Sequence, residues 1–441
     1  MTRDIIVGRT ASDFHKFGSR GCVLLGKQYI KMGRVTSLSN NVYLDVARAH
    51  VVFICGKRGG GKSYTMGVIA EGMADLPDDI KQNLSFIFLD TMGVYWTMKY
   101  PNKKDEELLA AWGLKGKPLD IIIYTPVDYY YKYKDQGIPT DKPFALKPSE
   151  LDSSDWIMTF DITPNDPMGI LIERVVNQLH KIQDNYSISD MVQMVQQDDR
   201  SEQTVKDALE NRLRSTEAWG VFDVKGTPMN ELAASGQVSI LDVSCYATSP
   251  GGWKIKALIV GLLSKRLFIQ RMLARKEEEF KQVHSTMDYF STGDVSKEKQ
   301  EMPLVWLVID EAHEFLPKEG ANVATDPLVT IMREGRQPGI SLILATQQPG
   351  KIHTDVMTQS DTVISHRITA RMDVEALGML MQSYMREGLT VQIDNLPRVN
   401  GAALIFDDAN EKMYPIRVRP RFTWHGGESP MAVKVKKEDL D

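Results

Sequence analysis

The segment GKRGGGKSYTMGVIA, Gly56 to Ala70, constrains this chain more than any other stretch. It satisfies G-x-x-x-x-G-K-[ST], with Gly56, Gly61, Lys62 and Ser63 at the defining positions. The preceding run Val51–Cys55 (VVFIC) reads as a buried strand, and the chain from Ser63 onward reads as an apolar-faced helix. A strand–loop–helix of this kind is built to bind phosphate. The glycines turn backbone N–H groups inward around phosphate oxygens, and the helix N-terminus adds positive dipole. Gly56, Arg58, Gly59, Gly60, Gly61, Lys62, Ser63 and Tyr64 are therefore the expected nucleotide cradle. Lys62 is placed to reach the outer phosphates of ATP and Ser63 to hold Mg2+.

A second motif completes such a site. LVWLVIDEAHEFLP is an apolar strand that delivers Asp310 and Glu311 to its C-terminal end, the edge where open parallel sheets place ligands. Asp310 is expected on the magnesium ion, and Glu311 is expected to orient and polarise the attacking water. His313 suits a structural hydrogen bond beside them. The next strand ends ATQQPG, which puts Gln347 and Gln348 near a γ-phosphate, with Gln347 the favoured sensor. Between the acids and that strand lies MREGRQPG. Its Arg333 and Arg336 are candidates for a cation that neutralises a neighbouring subunit's γ-phosphate, and Arg336 is favoured.

Composition narrows the setting. The chain has 441 residues, a net charge of −5 and 42% hydrophobic residues, enough for more than one average domain or for one large α/β domain with insertions. Nucleic-acid binding must then use local basic loops or a channel rather than a basic body. Cys22, Cys55 and Cys245 form no metal-type pair, a reduced intracellular pattern, and Cys55 is expected as inert core. No secretory signal is apparent. The most apolar helical run, Ala257–Leu263, meets Lys265 and Arg266 far short of the roughly 20 residues a membrane span needs. The expectation is a cytoplasmic protein with no membrane segment.

The expected organisation is a short N-terminal β module over 1–47, a RecA-like ATPase domain over 48–425 and a C-terminal tail over 426–441. A helical insertion occupies about 150–230, where apolar residues recur at three- and four-residue spacing. Met191 and Met194 there suit core packing. Residues 254–282 suit one long amphipathic helix, 284–301 a polar loop, and the stretch after Leu396 a terminal hairpin. Asp90, ending the strand Leu84–Asp90, reads as a cap for the next turn. DYYYKYKD (Asp128–Asp135) interleaves four tyrosines with two lysines, a pattern that suits nucleic acid, a subunit interface or a β-edge.

Taken together, HVVFICGKRGGGKS, LDTMGVY, GQVSILDVS, VIDEAHEFLP, REGRQPGISLILATQQP, DTVISHRIT and LPRVNGAALIF…HGG resemble the HerA/FtsK superfamily of DNA-pumping ATPases, HerA most closely. The resemblance implies a RecA-like P-loop core with a mostly parallel sheet, assembled as a homo-hexamer with ATP between subunits and double-stranded DNA in the pore. It also implies a partner nuclease, NurA-like in related systems, and work in DNA end processing, repair or defence. The roles of Lys62, Ser63, Asp310, Glu311, Gln347 and Arg336 agree with those drawn from chemistry. The chain departs from relatives in its shorter N-terminal module and in DTMGVY where they often read DPHGEY; relatives often carry a cation just before the first strand, a stretch that Arg48 and His50 occupy here. Two other readings fit the same ATPase site: a nucleotide-gated ring that licenses an effector enzyme, and a pump for protein or viral genome.

Overall fold

The computed structural model describes residues 4–32, 35–287, 302–368, 370–379, 389, 391–393 and 395–427. From residue 288 on, the expected polar loop 284–301 lies outside the described residues, as does the expected tail beyond Gly427.

The chain is α/β, as expected, and its strands form one sheet. They are β1 (Ile5–Val7), β2 (Cys22–Met32), β3 (Val35–Asp45), β4 (Val51–Cys55), β5 (Leu84–Asp90), β6 (Ile121–Pro126), β7 (Lys142–Phe144), β8 (Val238–Asp242), β9 (Leu304–Ile309), β10 (Ile340–Thr346), β11 (Thr362–His366), β12 (Ala402–Asp407) and β13 (Lys412–Val418). The order is β1-β3-β2-β13-β12-β11-β4-β10-β9-β5-β8-β6-β7. From β11 to β7 every neighbouring pair is parallel. Beyond β11 the pairing becomes antiparallel through β12, β13, β2 and β3.

The central strands are apolar throughout because helices cover both faces, so alternate side chains enter different cores. On β4, Phe53 and Cys55 join one apolar cluster while Val52 and Ile54 join the other. The same alternation divides Ile87 and Leu89 from Phe86 and Phe88, and Leu307 from Trp306 and Val308. Cys55 is fully buried, and burial pushes its thiol up to about 12. It is inert core, as expected.

Between β7 and β8 one face carries the helices Ser153–Phe160, Pro167–Ile182, Ile188–Gln197 and Gln203–Glu217 and the short helix Met229–Leu232. Asp152 and Ser187 start two of them with reciprocal capping boxes. Met191 is fully buried in their core. The helix Gly252–Met287 runs across the same face. DYYYKYKD is a helix, Val127–Asp135, not a β-edge. Pro126 sets its N-terminus, and Tyr129 packs edge-on to Tyr246 with centroids 5.5 Å apart. Ala11–Phe17 is likewise a helix, capped by Thr10, where strands and turns were expected.

The opposite face holds the helix Lys62–Ala74. Its Glu71 is fully buried and saturated with donors from the C-terminal segment: Arg419 Nη1 at 2.7 Å, Thr423 Oγ1 at 2.6 Å, Thr423 N at 3.0 Å, Phe422 N at 3.3 Å and Arg421 Nε at 3.4 Å. This network pins residues 419–423 to the helix that follows the glycine loop.

Candidate nucleotide site

The parallel strands β4, β5, β8, β9, β10 and β11 all end on one edge of the sheet. Cys55 lies opposite Thr346 and Ser365, and Asp90 opposite Asp242. Everything projecting from those ends therefore meets there.

The loop after Cys55 turns through Gly59 at φ 70° and Gly61 at φ 108°, left-handed values that favour glycine. Gly61 caps the helix Lys62–Ala74 without a side-chain hydrogen bond, so the first helical N–H groups remain available to an anion. Lys62 is 7% exposed and folds its ammonium back to donate to the Gly56 carbonyl at 3.1 Å and toward the Lys57 carbonyl at 3.4 Å. Arg58 is exposed at the loop tip. Tyr64 is partly buried, and its hydroxyl accepts from the Arg421 N–H at 2.7 Å.

The two motifs meet at Asp310, immediately past the end of β9. Ser63 Oγ donates to Asp310 Oδ2 at 3.0 Å across 247 residues of sequence. The Tyr95 hydroxyl approaches the same oxygen at 3.4 Å, and the Glu311 N–H holds Oδ1 at 2.8 Å. Ser63 and Asp310 thus present two hard oxygen donors beside the loop. Among the described residues no group of three or more His, Cys, Asp or Glu could hold a metal by itself. One carboxylate and one hydroxyl instead suit Mg2+, which completes its shell with water and substrate phosphates.

Glu311 sits in the left-handed region at φ 51°. Burial, reinforced by the charge of Asp310, pushes its carboxyl from 4.5 up to about 7, while the Gln347 backbone N–H pulls the other way. Its Oε2 is buried without a hydrogen-bond partner and lies 3.5 Å from His313 Nδ1. Burial lowers the His313 pKa, so the imidazole is held neutral. Its nitrogens face Thr346 Oγ1 at 3.0 Å and Gln348 Nε2 at 3.3 Å. The amide nitrogen can only donate, so the ring's Nε2 accepts and Nδ1 carries the ring proton. Gln348 thereby orients the histidine beside Glu311, while Gln347 approaches Glu311 through its backbone.

Asp90 takes the capping role expected of it. Its carboxylate accepts from the N–H groups of Met92, Gly93 and Tyr95 at 3.2, 2.7 and 2.9 Å. Burial and the neighbouring Asp242 push it up to about 7.

Arg336 stands apart from all of these. It is exposed in the turn before β10, at the opposite edge of the sheet, where its charge acts on His50. Seven residues of β10 separate the two edges, about 23 Å at 3.3 Å per residue. Arg333 is exposed and paired with Asp355 at 2.5 Å. Arg48 is paired with Asp13 at 2.5 Å, and His50 with Asp361 at 2.8 Å.

His313 makes the structural hydrogen bond expected of it, to Thr346, whereas Tyr95, Thr346 and the contact of Gln348 with His313 had not been singled out. DTMGVY contains Tyr95, ATQQPG contains Thr346 and Gln348, and VIDEAHEFLP contains His313, but only the strand register shows which side chains turn toward Asp310 and Glu311.

The family model described as the helicase HerA central domain matches residues 30–265, more than half of the chain. A model for zonular occludens toxin (Zot) matches residues 252–414. A probable DNA double-strand break repair helicase HerA from Methanocaldococcus jannaschii is 31% identical over 144 residues, 30% of this chain and 26% of that protein. The DNA double-strand break repair helicase HerA of Pyrococcus furiosus is 29% identical over 139 residues, 30% of this chain and 24% of that protein. The chain thus matches about a quarter of the length of these curated relatives. Among solved structures, VirB4 of Thermoanaerobacter pseudethanolicus superimposes with a TM-score of 0.54 at 13% identity, over 91% of this chain and 96% of that one. The conjugative coupling protein TrwB gives 0.50 at 12% identity, over 94% and 98%. At these identities the two structures speak to the fold, a RecA-like P-loop core.

Proposed function

Because this chain belongs to the family of P-loop ATPases built on the HerA central domain, we propose that it is a ring-forming, Mg2+-dependent motor that hydrolyses ATP to move along double-stranded DNA. The observation that carries the ATPase part is the meeting of Ser63 with Asp310 at 3.0 Å, with Glu311 beside them. DNA as the track is taken from the relatives, which are named as DNA double-strand break repair helicases. Among the described residues no helix is long and apolar enough to cross a membrane.

Each residue has a definable task. The loop amides and Lys62 bind the polyphosphate. Ser63 and Asp310 hold Mg2+, which when bound neutralises charge on the β- and γ-phosphates. Glu311, half-buried and poised near neutral pH, takes a proton from the attacking water. His313, fixed by Thr346 and Gln348, keeps that carboxylate in place. Gln347 stands next to Glu311 as the γ-phosphate sensor. Arg336 lies too far from its own loop to touch the nucleotide there. That distance supports a ring in which Arg336 of one subunit reaches the γ-phosphate of the next, with six subunits as in the expectation from sequence. A nuclease partner in end processing, repair or defence belongs to the same proposal.

The test is the ATPase rate of the purified chain with and without linear duplex DNA. Strong stimulation by DNA supports the motor. A rate indifferent to DNA but changed by a partner enzyme would replace it with a nucleotide-gated scaffold.

A further inference from the structure

The imidazole of His366 lies directly beneath the glycine loop and is assigned no task by the ATPase reading. It is the last residue of β11 and is completely buried. The loop is moulded around it. A Cβ added at Gly56 would meet His366 Cβ at 2.6 Å, one at Gly61 would meet Cε1 at 3.2 Å, and one at Gly60 would meet Cβ at 3.6 Å. The first two are closer than ordinary van der Waals contact, so the glycines are required by the histidine as well as by the turn.

Both ring nitrogens are committed. Nδ1 lies 3.2 Å from the Ala402 carbonyl, and Nε2 lies 2.8 Å from Thr65 Oγ1. A carbonyl only accepts, so Nδ1 carries the proton and Nε2 accepts from the Thr65 hydroxyl. Burial and the nearby Lys62 lower the His366 pKa to about 4, and the ring stays neutral at physiological pH. The next residue continues the support, since the Lys57 N–H donates to the Arg367 carbonyl at 3.4 Å. The loop is thereby tied at its floor to β12 through Ala402 and at the first helical turn through Thr65.

We propose that His366 is a positioning residue that holds the glycine loop in its phosphate-receiving shape by bridging Thr65 to Ala402. This rests on the reading of the loop as a nucleotide site. The two side-chain links are distinguishable by chemistry. His366→Gln places an amide oxygen where Nε2 stands and can still accept from Thr65. His366→Ala removes both links and the ring beneath Gly61. Thr65→Val removes one link with almost no change of volume.

The experiment measures the affinity of a fluorescent ADP analogue, the KM and kcat for Mg-ATP, and the nucleotide-free melting temperature. His366→Ala is expected to weaken analogue binding and raise KM by about tenfold or more, the scale of losing buried hydrogen bonds. Thr65→Val is expected to raise both several-fold with kcat at saturation near wild type, and to lower the nucleotide-free melting temperature only by the cost of one buried acceptor left without its donor. His366→Gln is expected to recover most of the affinity lost in His366→Ala. If Thr65→Val and His366→Gln bind and turn over like wild type while His366→Ala only melts earlier, the histidine is core packing and the inference is overturned. Wild-type protein that fails to bind the analogue overturns the nucleotide reading itself, and this inference with it.

Discussion

Replacing Glu311 by Gln separates the cost of this residue to the fold from its use. The backbone at φ 51° and the side-chain volume are kept, and only the ionisable oxygen is lost. Glu311 is driven from 4.5 up to about 7 because ionising it puts a second negative charge beside Asp310 in a site with little water. A carboxyl with a raised pKa leaves stability intact below its unfolded value and costs stability as pH rises from there to its folded value. The penalty therefore grows between pH 4.5 and about 7 and is complete above that. The side chain is 17% exposed, so the linkage value is discounted for screening, to about 2 kcal/mol at pH 8. Glu311→Gln should gain about that much stability at pH 8 and progressively less toward pH 5, read by denaturant unfolding. The catalytic change has the opposite sign. A base titrating near 7 in the free protein makes wild-type kcat/KM rise about tenfold between pH 6 and 8. Glu311→Gln should lower kcat by about 100- to 10,000-fold, the usual span for removing a general base, while nucleotide still binds. The reasoning is refuted if Glu311→Gln turns over ATP at the wild-type rate, or if it is no more stable than wild type at pH 8.

Lys62→Ala should weaken ATP binding at least about tenfold, measured by nucleotide titration, because no other loop side chain presents a buried cation. Ser63→Ala should raise the Mg2+ concentration needed for half-maximal turnover, and chelation should stop the wild-type enzyme; an unchanged Mg2+ titration would remove Ser63 from the metal. Arg336→Ala should cost about 1,000-fold or more in kcat with nucleotide binding intact. Mixing it with Glu311→Gln should restore part of the rate, since each variant supplies what its neighbour lacks; mixtures as inactive as the separate variants would place Arg336 outside the shared site. Glu71→Ala strips a buried acid from Arg419 and Arg421 and should cost about 3–5 kcal/mol in urea unfolding, with Glu71→Gln milder.

The core of the fold and the parts of the site that follow from backbone geometry were legible in the sequence. A glycine turn between an apolar strand and a helix encodes its own shape, and an apolar run ending in Asp310 and Glu311 encodes a strand end at the ligand edge. Residues whose placement depends on long-range register were not legible. His366 reads as one polar residue at a strand end until β11 is known to lie beside β4. Gln347 and Gln348 are alike in sequence, and only the turn after β10 sends the Gln348 side chain to His313. The tyrosines of Val127–Asp135 have strand propensity, yet four-residue spacing places Tyr129 and Tyr133 on one helical face, with ring centroids 6.4 Å apart. The pairing of β2 with β13 joins segments nearly 400 residues apart, for which no local pattern exists.

If Arg336 serves the neighbouring subunit, one reaction is divided between two edges of the sheet, and the most direct test follows assembly and turnover together. Sedimentation velocity and ATPase rate would be measured on the same samples across a dilution series, with nucleotide and duplex DNA present. The account predicts that activity per chain falls as the ring dissociates and vanishes in the monomer. Full turnover by a monomeric chain would contradict it.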